Sequence, residues 1–467
     1  MSPSPRDLPR LVVAALRGGS GKTTLTLGLI QALAGRGLAV APFKKGPDYI
    51  DPFWLGAAAG HACRNLDPFL LGRRQVLDSF GYHSRGRDVA VVEGNRGLFD
   101  GLDAAGSYST AELAKLLSAP VALVVDCSMA SRTVAAVVLG CQRFDPELNL
   151  AGVILNPVAN RRQEGVIRRA IADSTGLPVL GAVPRLDLDM PERHMGLVPP
   201  QEHHRVAEAL ATAAKSVAAH VDLEALLAIM KAAPPWPHPG PPQGLFPPAP
   251  ASPGPAIGVV RDPAFGFYYP ENLEALANHG ARLVFCSALG DERLPRVDAL
   301  YLGGGFPETH ARELSANQSF RASLRAAAEA GLPIYAECGG LMYLGRNIVA
   351  DGQAWPMAGV FPLDFIMEKK PQGHGYTNCR VIGQNPFLPL GCEFRAHEFH
   401  YSNPRWLCQE GCEMVFEVLR GRALQGQDGG ILYKNTLGTY HHVHALGLKE
   451  WAPGMVAAAS RRRSQVS

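Results

Sequence analysis

Between Ala232 and Ala256 the chain reads APPWPHPGPPQGLFPPAPASPGPA, with a proline at almost every second or third position. Proline locks φ and removes the backbone N–H, so this stretch sustains neither a helix nor an interior strand and reads as an extended linker. A chain of 467 residues with 47% apolar content has material for a sizeable core on each side. The expected organisation is one domain over 1–232, a proline-rich linker over 233–256 and a second domain over 257–467.

Both sides carry the same pattern. Short apolar runs, Leu11 to Ala15, Val89 to Val92, Val121 to Val125 and Gly152 to Leu155 before the linker, alternate with helix-like stretches such as Thr23 to Ala34. Ile257 to Val260, Arg282 to Cys286, Ala299 to Leu302 and Leu332 to Ala336 repeat the pattern after it. Strands bounded by Gly or Pro and separated by helices imply parallel sheets covered on both faces, so each half is expected to be a doubly wound α/β domain.

The first half opens on LVVAALRGGSGKTTLTLGLIQAL: a buried strand, a glycine-rich turn and a helix. That is the context a phosphate-binding loop requires. Gly18, Gly19 and Gly21, with Ser20 between them, let backbone N–H groups approach phosphate oxygens at a helix N-terminus. Lys22 would reach the terminal phosphates of ATP and Thr23, followed by Thr24, would offer a hydroxyl to Mg²⁺. The loop FKKGPDYIDP adds Asp48 and Asp51, suited to a metal or a reacting carboxylate, and Lys45, suited to developing phosphate charge. Glu93 ends the strand of VAVVEGNRGLFDG at the place where parallel strands present ligands, a second carboxylate for Mg²⁺. Asp126 ends VALVVD in the same way, and Asn156, ending GVILN, is a candidate to read the nucleotide base.

In the second half, GLPIYAECGGLMYLG delivers Cys338 from a buried strand into a turn with Gly339 and Gly340. A thiol exposed at a helix N-terminus is expected to have a lowered pKa and to lie beside backbone N–H groups that form an oxyanion hole. Gly304 and Gly305 of LYLGGGFPE are further donors for that hole, with Gly339. GTYHHVHAL offers His441, His442 and His444 as bases; in an extended segment His442 and His444 share a face and His441 points away. HEFHYS groups His397, Glu398, His400 and Tyr401, but its histidines stand three apart rather than at the helical spacing of a zinc motif, which favours substrate contact or local structure.

A formal charge of +3, from 45 basic and 42 acidic residues, advertises neither nucleic acid nor an anionic membrane as partner. Nine scattered cysteines, with Cys408 and Cys412 lacking a second matching pair, favour reduced thiols and a cytoplasmic location. The N-terminus shows no secretory signal pattern, and no apolar run reaches the length of a membrane span.

Taken in order, RGGSGKTT, KKGPDYIDP, VEGNRGLFDG, PERHMGLVP, LYLGGGFPE, AECGGLMYLG, RAHEFHYS and GTYHHVH resemble the cobyrinic acid a,c-diamide synthase family over nearly the whole chain. The resemblance implies an N-terminal domain like dethiobiotin synthetase and a C-terminal class I glutamine amidotransferase domain of the triad type. It also implies amidation of two carboxylates of a tetrapyrrole, in cobalamin biosynthesis, through acyl phosphates made with ATP and ammonia drawn from glutamine. By the same resemblance Lys22 and Thr23 take the phosphate and Mg²⁺ positions, Asp48, Asp51 and Glu93 handle metal and intermediate, Tyr49 and Ile50 meet the substrate carboxylate, and Cys338 and His442 are nucleophile and base. A homodimer is admitted.

Two departures leave the tetrapyrrole open. Ala15, Leu16 and Arg17 stand where family loops begin Gly-Thr-Ser, and KKPQGHGYTNCRV is more similar to relatives that amidate sirohaem or nickel sirohydrochlorin. RGGSGKTT also resembles the loop of partitioning ATPases of the ParA and MinD type, a class that has no use for Cys338 and a partnered histidine.

Overall fold

The computed structural model describes residues 7–185, 192–193, 196–197, 205–238, 241, 244–250, 254–408 and 411–466. The chain divides into two compact units, Met1–Pro68 with Gly72–Leu245 and Phe69–Leu71 with Phe246–Ser467.

In the first unit, β1 (Arg10–Ala15), β2 (Val40–Lys45), β3 (Arg64–Leu66), β4 (Val89–Glu93), β5 (Val121–Val125), β6 (Leu150–Val158) and β7 (Val179–Pro184) form one sheet. Its order is β3-β2-β4-β1-β5-β6-β7, and all neighbours are parallel. Every residue of β1, β2, β4 and β5 is buried, which explains why Leu11 to Ala15, Val89 to Val92 and Val121 to Val125 read as unbroken apolar runs rather than alternating ones. Strands β2, β3 and β4 lie to one side of β1 and β5, β6 and β7 to the other. The reversal of strand order opens a crevice at the carboxyl ends of β1 and β4, where helix α1 (Lys22–Gly35) begins. Trp236, within the proline-rich stretch, is buried and packs edge-on against Phe80 at 4.9 Å. Two short strands, β8 (Glu192–Arg193) and β9 (Gly196–Leu197), pair antiparallel; the rest of the PERHMGLVP segment lies outside the described residues.

The second unit contains β10 (Ala256–Val260), β11 (Arg282–Cys286), β12 (Ala299–Leu302), β13 (Ile334–Glu337), β14 (Asn347–Ala350), β15 (Gln353–Pro356), β16 (Leu363–Met367), β17 (Gly373–Val381), β18 (Glu393–His400), β19 (Ser402–Trp406), β20 (Glu413–Arg420), β21 (Asp428–Tyr433) and β22 (Thr436–Thr439). Its main sheet runs β11-β10-β12-β13-β22-β21-β20-β17-β18. The first five strands are parallel, as expected of a doubly wound domain. Four antiparallel strands then continue the same sheet and carry β18 and its histidines to its far edge. Strands β15, β14, β16 and β19 make a separate four-stranded sheet. One face of the main sheet is covered by a core that includes Leu302, Ala336, Cys338, Leu341, Leu424 and Tyr440. The other is covered by one that includes Tyr301, Tyr335, Ala396, Val443 and Trp451. Among the described residues no helix is long and apolar enough to cross a membrane.

Candidate functional site

In the first unit the chemistry converges on the end of β4. Glu93 is 0% exposed; its Oε1 accepts hydrogen bonds from Thr23 Oγ1 at 2.8 Å and Lys44 Nζ at 2.6 Å. Lys44 also reaches Asp51 Oδ2 at 2.5 Å. Burial pushes the Glu93 carboxyl up to about 7 against the opposing pull of Lys44. Burial by itself would lower the Lys44 ammonium, but Asp51 and Glu93 outweigh it and raise it. This is a buried ion cluster in which each charge depends on the others.

Lysine parity separates the two lysines of the FKKG loop. Successive side chains on a strand point to opposite faces, and it is Lys44 that meets Glu93 and Asp51. Lys45 is buried with its amine lowered by burial and feels Asp67 and Arg96 instead. Asp48 does not join the cluster through a hydrogen bond to Lys44. Its Oδ1 accepts from the backbone N–H groups of Ile50 at 2.7 Å and Asp51 at 3.0 Å, an Asx-type start for helix α2 (Ile50–Ala59). Burial, and then Asp51, push the Asp48 carboxyl up to about 6. Tyr49 and Ile50 are buried at this helix start.

The glycine loop is shaped by its neighbours. Gly19 and Gly21 have φ of 72° and 79°, left-handed values that favour glycine. A Cβ on Gly21 would lie 2.3 Å from Asn156 Nδ2. The Asn156 amide donates to Ser20 O at 2.9 Å, so it braces the loop. Lys22 Nζ donates to the carbonyls of Arg17 at 3.2 Å and Arg96 at 3.0 Å, while Arg17 pairs with Asp126 at 2.5 Å. Gly18 and Thr24 lie in the same turn and first helical turn. For Mg²⁺, Thr23 and Glu93 fit: Glu93 Oε2 is buried without a hydrogen-bond partner, a carboxylate oxygen of the kind a hard cation takes.

In the second unit Cys338 stands between β13 and the six-residue helix Gly339–Leu344, with φ 47° and ψ −101°. A non-glycine residue there costs on the order of 1–3 kcal/mol and persists only where the surroundings enforce it. They do so here, through Cys338 N donating to Thr439 O at 2.7 Å and Cys338 O accepting from Met342 N at 3.0 Å. The thiol differs from expectation: burial, and then Glu308, raise its pKa, with the Gly339 N–H opposing weakly. A six-residue helix offers little field against complete burial among carboxylates, so the resting group is the thiol and its proton must leave to a base.

The candidate base is His442. Its Nδ1 lies 3.3 Å from Glu337 Oε2, and Glu337, the residue before Cys338, is fully buried. Glu337 Oε2 also accepts from Tyr301 Oη at 3.2 Å, which receives Asn272 Nδ2 at 3.2 Å. Sequence reasoning missed Glu337, although it stands inside the quoted AECGG. His397 pairs its backbone with His442 and stacks on it with ring centroids 4.9 Å apart. His444 faces Glu271 at 3.6 Å, whereas burial lowers the neighbouring His441 to about 4.

The glycine turn of LYLGGGFPE closes on the same point. A Cβ on Gly339 would come 3.0 Å from Gly305 N, and one on Gly304 would come 2.5 Å from His442 Cε1. Gly304→Ala must therefore push the imidazole aside. Misplacement of a catalytic group by about 1 Å costs roughly 100-fold, so glutamate release from glutamine should fall by about that factor, as read in a coupled glutaminase assay.

A family model described as the CobB/CobQ-like glutamine amidotransferase domain matches residues 256–449, and one described as the CobQ/CobB/MinD/ParA nucleotide binding domain matches residues 11–198. The chain is 46% identical over 452 residues to the cobyrinate a,c-diamide synthase of Magnetococcus marinus, covering 96% of this chain and 97% of that one. It is 41% identical over 463 residues to the enzyme of that name from Archaeoglobus fulgidus, covering 98% and 99%. With that from Methanosarcina acetivorans it shares 38% over 485 residues, covering 98% and 97%.

Proposed function

This chain belongs to the cobyrinate a,c-diamide synthase family, and we propose that it amidates the a and c acetate side-chain carboxylates of a tetrapyrrole through acyl phosphates. It is a ligase of the glutamine-dependent, nucleotide-using class. The observation that carries the fuller reading is the pairing of chemistries: a phosphate loop over the Thr23, Glu93, Lys44 cluster in one unit, and a thiol, imidazole and carboxylate in the other. We take residues 1–232 as the amidoligase domain, 233–256 as linker and 257–467 as the amidotransferase domain.

A carboxylate is a poor electrophile, so amidation needs a better leaving group than oxide. In the first half-reaction a substrate carboxylate oxygen attacks the γ-phosphorus of ATP and ADP leaves. Lys22 and the loop N–H groups hold the phosphates, and Lys44 keeps Glu93 and Asp51 in place. Mg²⁺ held by Thr23 and Glu93 would supply charge neutralisation at the phosphates. Tyr49 and Ile50 line the approach of the substrate carboxylate. Ammonia then attacks the acyl carbon, a proton is lost, and phosphate departs with an oxygen from the substrate.

In the other half-reaction His442 takes the proton of Cys338 and the thiolate attacks the side-chain amide of glutamine. The oxyanion that forms is met by backbone N–H groups of Gly305 and Gly339. His442 returns the proton to the departing ammonia, and water releases glutamate from the thioester. Glu337, hydrogen-bonded at Nδ1, holds the imidazole in the tautomer that leaves Nε2 as the base. Glu337→Gln should lower kcat for glutamine hydrolysis by about 100-fold or more with little change in KM, because the loss falls on a charge that develops after binding. A rise in KM at constant kcat would remove Glu337 from this role.

The direct experiment supplies ATP, Mg²⁺, glutamine and either cobyrinate or a sirohydrochlorin-type tetrapyrrole, and weighs the product. Each OH replaced by NH₂ lowers the mass by about one dalton, and substrate labelled with heavy oxygen in its carboxylates should pass one labelled oxygen to phosphate per amide formed. Amidation without label in phosphate would exclude the acyl phosphate.

A further inference from the structure

Lys45 closes β2 one residue beyond Lys44, so it projects from the opposite face of the sheet. Phe43 shares its parity and packs on Phe80 of helix α3 (Arg73–His83), with ring centroids 4.9 Å apart. Lys45 therefore belongs to the side covered by α3. Lys44 and Glu93, neighbours in register, meet Thr23 of α1 on the other side, where the glycine loop runs into its helix. The reaction steps derived above leave Lys45 without a task.

Lys45 is 5% exposed, and no described residue gives it a hydrogen bond or an ion pair. Its Nζ is nevertheless not sealed from solvent. An ammonium group buried to this degree without an anion is costly. Asp67 stands one residue beyond Leu66, the register partner of Lys45 on β3, but its pull does not outweigh burial, which lowers the amine. Arg96 adds a second positive charge close enough to oppose that of Lys45. Its loop is brought there by Gly46, whose φ is 91° and on which a Cβ would come 2.8 Å from Asn95 Nδ2. Arg96 itself is exposed and has φ 51°, a conformation uncommon outside glycine, and its carbonyl accepts from Lys22 Nζ at 3.0 Å. Two cations gathered around one accessible amine, with a single carboxylate behind them, leave a place for a further anion.

We propose that Lys45, with Arg96 at the rim, binds a carboxylate of the tetrapyrrole that is not itself amidated, and so fixes which acetate is presented for phosphorylation. The assignment rests on the amidase reading above. A substrate with several carboxylates needs such a contact, because the reacting group alone cannot tell one acetate from another. An anion could also come from ATP or from released phosphate, and the test must separate these from the carboxylate.

The full chain is assayed with ATP, Mg²⁺ and ammonium chloride, so that glutamine plays no part. Its substrates are the tetrapyrrole that the mass assay shows to be amidated and the monomethyl esters of that compound, each with one non-reacting carboxylate blocked. A charge-assisted hydrogen bond is worth roughly 10- to 100-fold in binding. In the unaltered enzyme one ester should fall about 30-fold below the free acid in kcat/KM. Lys45→Met should erase that ratio by bringing the free acid down to the level of the ester, with KM for ATP unmoved. Arg96→Gln, at an exposed position, should narrow the same ratio by about threefold. Lys45→Met should also unfold in urea at the parental midpoint or above it, because an unpaired buried ammonium has been exchanged for an apolar chain of similar length. A raised KM for ATP with the ester ratios unchanged would make Lys45 a phosphate ligand and overturn the proposal. A lowered midpoint with equal losses on the acid and every ester would assign Lys45 to the fold and overturn it too. Failure of the unaltered enzyme to amidate any tetrapyrrole would instead overturn the amidase reading, and this proposal with it.

Discussion

Cys338→Ser should reduce glutamine-dependent amidation by at least about 1,000-fold while amidation driven by added ammonium salt continues. The substitution changes one atom at the end of β13 and leaves untouched the loop, Glu93 and Lys44 that serve the other half-reaction. A hydroxyl is a far weaker acid than a thiol, and even this thiol has its pKa raised by burial and by Glu308. His442 then faces a proton transfer it cannot complete. The backbone strain at Cys338, φ 47°, is independent of the side-chain atom, so the serine variant should fold and unfold as the parent does. Glutamine consumption, glutamate release and product mass, measured with each nitrogen source, give the answer. Loss of both activities would contradict a division of labour between the two units. Retention of glutamine use within about tenfold would remove Cys338 as the nucleophile.

What was legible in the sequence was local. The loop from Gly18 to Thr24, the elbow at Cys338 and the histidines of GTYHHVHAL each announce themselves within a few residues, because a strand, a tight turn and a helix N-terminus leave a short pattern. The parallel strands were legible for the same reason, since burial on both faces makes them continuous apolar runs. The antiparallel strands β17, β18, β20 and β21 were not singled out. They are half-polar, as Glu413, Glu417 and Arg420 on β20 illustrate, and their pairing joins segments far apart in sequence. Glu337 was in view but had no visible partner. Its role depends on β22 lying beside β13, which brings His442 next to it from 105 positions away. The expected low pKa at Cys338 failed because burial is a property of the whole core, not of the turn.

Lys44 shows the same limit most sharply and supports the second large effect. FKKG offers two lysines, and only the pleat of β2 decides that Lys44 faces β4, where it pairs with Asp51 and Glu93. Lys44 is 2% exposed and Glu93 0%, so Lys44→Met strands a carboxylate in the core. Breaking a buried ion pair from one side costs about 3–5 kcal/mol, visible as a lowered midpoint in urea unfolding. Amidation should fall by about 1,000-fold with glutamine and with ammonium alike, because the cluster that orients Glu93 beneath the phosphates is lost from both routes. Stability and activity can be separated by the double variant Lys44→Met with Glu93→Gln, which removes the fully buried charge together with its partner and leaves only Asp51, part-exposed at 19%, without its lysine. Its unfolding midpoint should return most of the way to that of the parent, since neutral replacement of both members of a buried pair is often tolerated. Its amidation should stay lost. Recovery of activity along with stability would mean that Lys44 and Glu93 only brace the fold, and the phosphate chemistry would then have to be sought among Lys22, Asp48 and Asp51 without them.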